Sequence, residues 1–142
     1  MLRMNLCAVT SVRICVAFHL LVSSAIPALS AGDPAAGQRD FAARCGGCHA
    51  TAPGENKIGP SLAGVFGNTS GNVPGFNYSP ALKSAHLSWD DTMLDKWLQN
   101  PPGLVHGTTM FVIVSSSGDR QNLIAYLKTL PAGENPPPTA TQ

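Results

Sequence analysis

The chain has 142 residues, of which 44% are hydrophobic and 12% charged, a length that suits one domain. Nine basic residues face eight acidic ones, and if Arg3 and Arg13 leave with an N-terminal leader, seven face eight, a formal charge of −1. A strong basic field for nucleic acid or an anionic membrane is thereby excluded.

Arg3 and Arg13 precede an apolar run, Ile14 to Leu21 and on through Ala25 and Ile26, which closes in Ala28-Leu29-Ser30-Ala31. Charge, apolar stretch and small residues in that order predict a secretory signal peptide over 1–31, cut after Ser30 or Ala31. The run falls short of the roughly 20 apolar residues of a membrane span, and nothing comparable follows. The expectation is a periplasmic protein with no stable membrane insertion once the leader is cleaved. Cys7 and Cys15 lie in the leader, so Cys45 and Cys48 remain, in an oxidising compartment that permits either a disulfide or haem attachment.

Asp33-Pro34 reads as the N-cap and first position of a helix that runs to the cysteines. Gly37, Phe41 and Cys45 fall at i, i+4 and i+8, one stripe holding a gap for close approach, a ring for packing and a thiol. Then comes Cys45-Gly46-Gly47-Cys48-His49. Two thiols three positions apart can reach both vinyl groups of one haem, while the adjacent imidazole takes an axial position. The two glycines keep side chains off the porphyrin edge. The rival readings are a structural disulfide, a thioredoxin-like redox pair and half of a zinc site. Zinc wants four nitrogen or sulfur ligands, and no second CxxC or HxxxH lies downstream. Thioredoxin-like chemistry wants a strand before the motif, where this chain reads as helix.

From Ala50 to Ser79 the chain is rich in Gly, Pro, Asn and Ser without a period, which predicts a long Ω-type loop that needs a ligand inside it. Within it Gly59-Pro60 offers a rigid carbonyl for the Nδ1 proton of His49. Pro74-Gly75-Phe76-Asn77-Tyr78 is a turn with two aromatics, followed by a short helical piece around Ala81 to Ala85. Ser88-Trp89-Asp90-Asp91 then starts a helix, with Asp90 as N-cap, that runs to about Gln99 and is stopped by Asn100-Pro101-Pro102. Leu94, Trp97 and Leu98 form its apolar face.

Gly103 to Phe111 reads as a second loop. Met110 within it is the candidate sixth ligand, since Met93 lies inside a helix and Met1 and Met4 lie in the leader. His106 and His86 are the competitors. Asp119 opens a final helix through Leu130, whose face of Leu123, Tyr126 and Leu127 can pack on Gly37 and Phe41. Pro131 ends it, and the Pro-rich tail 132–142 is expected to be disordered.

In this order the features GxxxFxxxCxxCH, GP, PGFxY, a Trp before an acidic N-cap, GTxM and LIAYLK resemble class I cytochrome c of the soluble mitochondrial and α-proteobacterial type. The resemblance implies an all-α fold over 32–131, with N- and C-terminal helices crossing, two or three further short helices, and long Ω loops wrapped around a covalent haem. It implies one haem c per chain, attached at Cys45 and Cys48, with iron held by His49 and Met110. It also implies that Pro60 accepts from His49, that Tyr78, Trp89 and Thr108 bond the propionates, and that Trp97 stands where relatives usually have Tyr. Function by resemblance is one-electron transfer without catalysis, by a monomer, between a reductase or dehydrogenase donor and an oxidase or reductase acceptor. The alternatives are a peroxidase-like haem enzyme or gas-binding sensor, should Met110 leave the iron, and a cytochrome subunit docked on a periplasmic dehydrogenase. Several residues depart from the family pattern. Asn68 replaces a frequent arginine, Val112 a frequent phenylalanine at the haem edge, His106 a proline and Thr109 a lysine, and only Lys57, Lys83, Lys96 and Lys128 remain of the lysines.

Overall fold

Asp33 starts α1 (Pro34–Arg44) by accepting from the Ala35 amide at 2.9 Å, and Pro34 occupies a first-turn position whose amide the helix does not use. The computed structural model describes residues 32–132; the expected leader and the tail from 133 onward lie outside the described residues. α1 crosses α5 (Ser117–Leu127), and this is the most extensive helix contact among the described residues. Gly37 is what lets them meet: a Cβ there would stand 2.0 Å from the Asn122 carbonyl oxygen. One turn along, the rings of Phe41 and Tyr126 lie 5.5 Å apart, and Leu123 and Leu127 complete the seam below them.

Three shorter helices connect the pair: α2 (Pro80–Ser84), α3 (Asp91–Gln99) and α4 (Pro101–Leu104). The Asp90 side chain caps α3 through the Met93 amide at 2.7 Å, as its position suggested. The region after α3 and both ends of the last helix differ from the sequence reading. Pro101-Pro102 ends α3 but also begins α4, because Asn100 both receives the end of one helix and accepts from the Gly103 amide at 3.1 Å to cap the next. A proline pair that cannot continue a helix is well suited to start one. The last helix begins not at Asp119 but at Ser117, because Ser116 Oγ accepts from the Asp119 amide at 3.2 Å, and it closes at Leu127 rather than Leu130.

Among the described residues there is no β-strand, only an isolated antiparallel bridge between Thr69 and Ser88. The long loop from Ala50 to Ser79 is held by backbone bonds instead, among them Gly59 N to Cys48 O at 2.8 Å, Leu62 N to Ala50 O at 2.9 Å and Ser70 N to Leu87 O at 2.8 Å. Arg120, 6% exposed, ties the far side together. Its Nε pairs with Asp95 at 2.7 Å, and its Nη1 donates to the carbonyls of Val114 at 3.0 Å and Ser115 at 2.9 Å. The segment between α4 and α5 is thereby fastened to both α3 and α5. Trp89, Leu94, Trp97, Leu98, Val105 and Val114 are buried around this frame.

Candidate functional site

The end of α1 flows into a tight turn, with the amides of Cys48 and His49 both bonding to the Cys45 carbonyl at 2.9 Å. No disulfide joins Cys45 to Cys48, and with His49 they line one cleft under the long loop. His49 is held on two sides. A Cβ on Gly59 would come within 2.3 Å of the imidazole Cε1, so only glycine fits there. The Pro60 carbonyl lies 2.8 Å from Nδ1. A carbonyl can only accept, so Nδ1 carries the proton and Nε2 keeps its lone pair. Burial lowers the His49 pKa, with the bond to Pro60 acting in the other direction, which favours the neutral ring, the form that ligates metals. Burial pushes the Cys45 thiol upward.

Met110 lines the same cleft from the segment that follows α4. Gly107 makes this turn in the left-handed region, with φ of 90°, and Thr108 Oγ1 accepts from the Met110 amide at 3.3 Å. The indole Nε1 of Trp97 donates to Met110 Sδ at 3.2 Å. The rings of Trp97 and Trp89 lie 5.3 Å apart at an interplanar angle of 59°. Tyr78, edge-on to Phe76 with ring centroids 4.8 Å apart, also faces the cleft, and burial pushes its phenol up to about 12, against a lowering contact with the Val73 backbone.

Cys45, Cys48, His49, Pro60, Tyr78, Trp89, Trp97, Thr108 and Met110 thus line a single cleft. The two rival histidines do not. His106 and His86 are both exposed, and His86 sits at a positive φ of 47°. Leu94, Leu98, Leu123 and Leu127 give the cleft its apolar lining, a role that helical spacing marks only as core. Ile58 and Phe111 stand on the rim, 81% and 71% exposed, with no signal in the sequence that sets them apart from core residues. Asn68 lines the cleft, but its amide nitrogen is taken by the Gly64 carbonyl.

The cleft measures about 1410 Å³ with its mouth, and its donors are two thiols, an imidazole and a thioether on apolar walls. Among the described residues no three His, Cys, Asp or Glu side chains gather to hold a bare metal ion. The donor set fits an iron porphyrin, which thioethers hold and which takes an imidazole and a thioether as axial ligands.

The family model for cytochrome c matches residues 34–131. Cytochrome c of Euglena viridis is 47% identical over 100 residues, covering 70% of this chain and 98% of the relative. Cytochrome c2 of Rhodomicrobium vannielii is 43% identical over 104 residues, covering 72% of this chain and 82% of the relative. Among solved structures, cytochrome cH from Methylobacterium extorquens superposes with a TM-score of 0.64 at 42% identity, covering 69% of this chain and 99% of that one.

Proposed function

The chain belongs to the cytochrome c family, and from that premise we propose that it is an exported, periplasmic electron carrier with haem attached at Cys45 and Cys48 and iron between His49 and Met110. Members of the family are electron-transfer proteins rather than enzymes and carry covalently bound haem c; this chain is such a carrier and acts with redox partners. Haem c, when bound, supplies a one-electron couple between ferric and ferrous iron.

The chain's own residues do the rest. Cys45 and Cys48 hold the macrocycle at the end of α1. Pro60 fixes the tautomer and plane of His49, leaving Nε2 for iron. Trp89, Trp97, Leu94 and Leu98 exclude water, which keeps the change in solvation small when the charge at the iron changes. Tyr78 and Thr108 offer hydroxyls to the propionates. A partner meets the rim formed by Ile58, Phe111 and Val112.

The observation that carries the proposal is that His49, with its Nδ1 proton engaged by Pro60, and Met110 stand on one cleft with both thiols. The test is the double substitution Cys45→Ala and Cys48→Ala. The unaltered protein should keep its haem through acid-acetone extraction. The variant should neither retain haem nor fold, because the cofactor supplies much of the core. A folded double variant, or haem that acid-acetone extracts from the unaltered protein, would overturn it.

A further inference from the structure

We propose that the segment from Phe111 to Ile113 is an unpaired strand edge that docks a second copy of this chain, antiparallel about a two-fold axis at Val112, and that two carriers exchange an electron while so paired. The exchange rests on the reading of the cleft as a haem site, whereas the pairing rests on the backbone alone.

Phe111-Val112-Ile113-Val114 is a run of one aromatic and three β-branched residues, the types that suit a strand, with no charge, glycine or proline among them. It runs without helix, turn or bend. Exposure alternates along it, 71% at Phe111, 38% at Val112, 54% at Ile113 and 0% at Val114, the period of two of an extended chain with one face outward. The backbone alternates too. The amides of Met110 and Val114 turn inward, to Thr108 Oγ1 at 3.3 Å and to the Leu98 carbonyl at 2.8 Å. Successive amides of an extended chain point to opposite edges, so Phe111 and Ile113 present N–H and C=O on the outer edge. Among the described residues no backbone hydrogen bond reaches either of them. Such an edge is a template for another extended chain.

The edge complements itself. Under an antiparallel two-fold, the N–H and C=O of Phe111 meet the C=O and N–H of Ile113 in the other copy, and Ile113 meets Phe111 likewise, so four hydrogen bonds form. The side chains set opposite are a ring and a branched alkyl group, a favourable cross-strand pair. No like charges are pressed together, because at this mouth Arg44 is paired with Asp119 at 3.0 Å and the Lys57 ammonium donates to the Gly46 carbonyl at 3.1 Å. Ile58, 81% exposed on the same rim, extends the apolar contact. These few side chains cover far less than the ~800 Å² per partner of stable complexes, so the pair forms and parts quickly. A dilute solution holds monomers. Val112 lines the cleft, so pairing sets the two clefts mouth to mouth. One copy loses the electron that the other gains, and the exchange balances without a further reactant.

The test uses the purified, fully reduced holoprotein, with its backbone amide shifts followed by NMR from micromolar to millimolar concentration. The Phe111 and Ile113 amides should move together, with a dissociation constant on the order of 1 mM, while the Val114 amide, held by Leu98, stays in place. Electron exchange is then read from line widths in mixtures of ferric and ferrous protein. Phe111→Lys and Ile113→Glu should each slow exchange with their own kind by about tenfold, through like-charge repulsion. Mixing the two variants should restore it, since the pairing puts position 111 of one copy opposite position 113 of the other. Folding is not at stake, because both side chains are more than half exposed. Amide shifts that stay flat across the range would leave the edge to some other partner and overturn the self-pairing. A mixture no faster than either variant alone would overturn the register. Amide shifts that move in a protein found to carry no haem would uphold the pairing and overturn the carrier reading, so the two failures are distinguishable.

Discussion

Gly37 of α1 and Asn122 of α5 meet backbone to backbone, so closely that a Cβ on Gly37 would lie 2.0 Å from the Asn122 carbonyl oxygen and 2.8 Å from Tyr126 Cβ. α1 leads directly into the turn that holds both cysteines and α5 closes the core beneath it, so this contact sets the height of the Cys45–His49 turn above the hydrophobic floor.

Gly37→Ala is accordingly expected to destabilise the holoprotein by about 2 kcal/mol, measured by guanidinium unfolding. In an unobstructed helix the same change gains about 1 kcal/mol, but neither neighbouring backbone can give by the distance required. Gly118→Ala, where a Cβ would meet only Ser116 Oγ at an ordinary 3.8 Å, is the control and should not destabilise. Equal stabilities for the two variants would mean that the helices do not cross at Gly37.

Arg120→Leu should cost about 3 kcal/mol, since it leaves the Val114 and Ser115 carbonyls without their donor and Asp95 without its partner. The loss has a local consequence. Those carbonyls fasten the segment that carries Met110, so on warming, the iron–thioether band should fade at a lower temperature than helix content does. Coincident fading would show that the segment is held by other contacts.

Tyr78 gives a pH dependence with a definite sign. Its phenol is raised by burial from about 10 in the unfolded chain to about 12 in the folded one. The folded state therefore binds the proton more tightly. The associated stability is fully present below about pH 10 and is lost as pH rises through about 12. A nearby propionate would push in the same direction. Between pH 10 and 12 the unaltered protein should lose stability faster than Tyr78→Phe, in urea melts at each pH. Parallel curves would mean that Tyr78 ionises as freely as an exposed tyrosine.

Much of this site was legible in the chain because its chemistry is local. Cys45, Cys48 and His49 are adjacent, and Gly37, Phe41 and Cys45 follow a helical stripe that any reader of periodicity can place. Asp33 and Asp90 were legible as caps for the same reason. What could not be read depends on partners distant in sequence or on a choice between equal signals. Ser116 and Asp119 are both good helix starters, and only the fold decides that the first of them caps and the second is capped. Arg120 looks like a surface residue until Asp95 and two carbonyls from the preceding segment close around it. Trp97 was legible as an apolar helix residue, whereas its bond to a sulfur 13 positions away was not. Ile58, Phe111 and Ile113 would pass for ordinary core residues by type, yet they are exposed.

Those exposed side chains bear on how partners dock. Ile58 and Phe111 project from the rim, and the neighbouring Lys57 has its Nζ engaged by the Gly46 carbonyl at 3.1 Å. Weak redox contacts bury under about 1,200 Å², and steering by charge shows as a fall of rate with salt. Stopped-flow reduction by the natural donor should therefore change only slightly between low and physiological salt. Phe111→Asp should slow it by roughly tenfold and Lys57→Ala should leave it nearly unchanged. A steep salt dependence that Lys57→Ala flattens would put a focused basic patch in place of the apolar rim.

The near-infrared spectrum of the ferric protein tests the His49 and Met110 ligation most directly. The unaltered protein should show the weak band of ferric iron bound by a thioether, His106→Ala should keep it, and Met110→Ala should abolish it and lower the midpoint potential. A band that survives Met110→Ala, or one that disappears with His106→Ala, would contradict the assignment of Met110 as the sixth ligand.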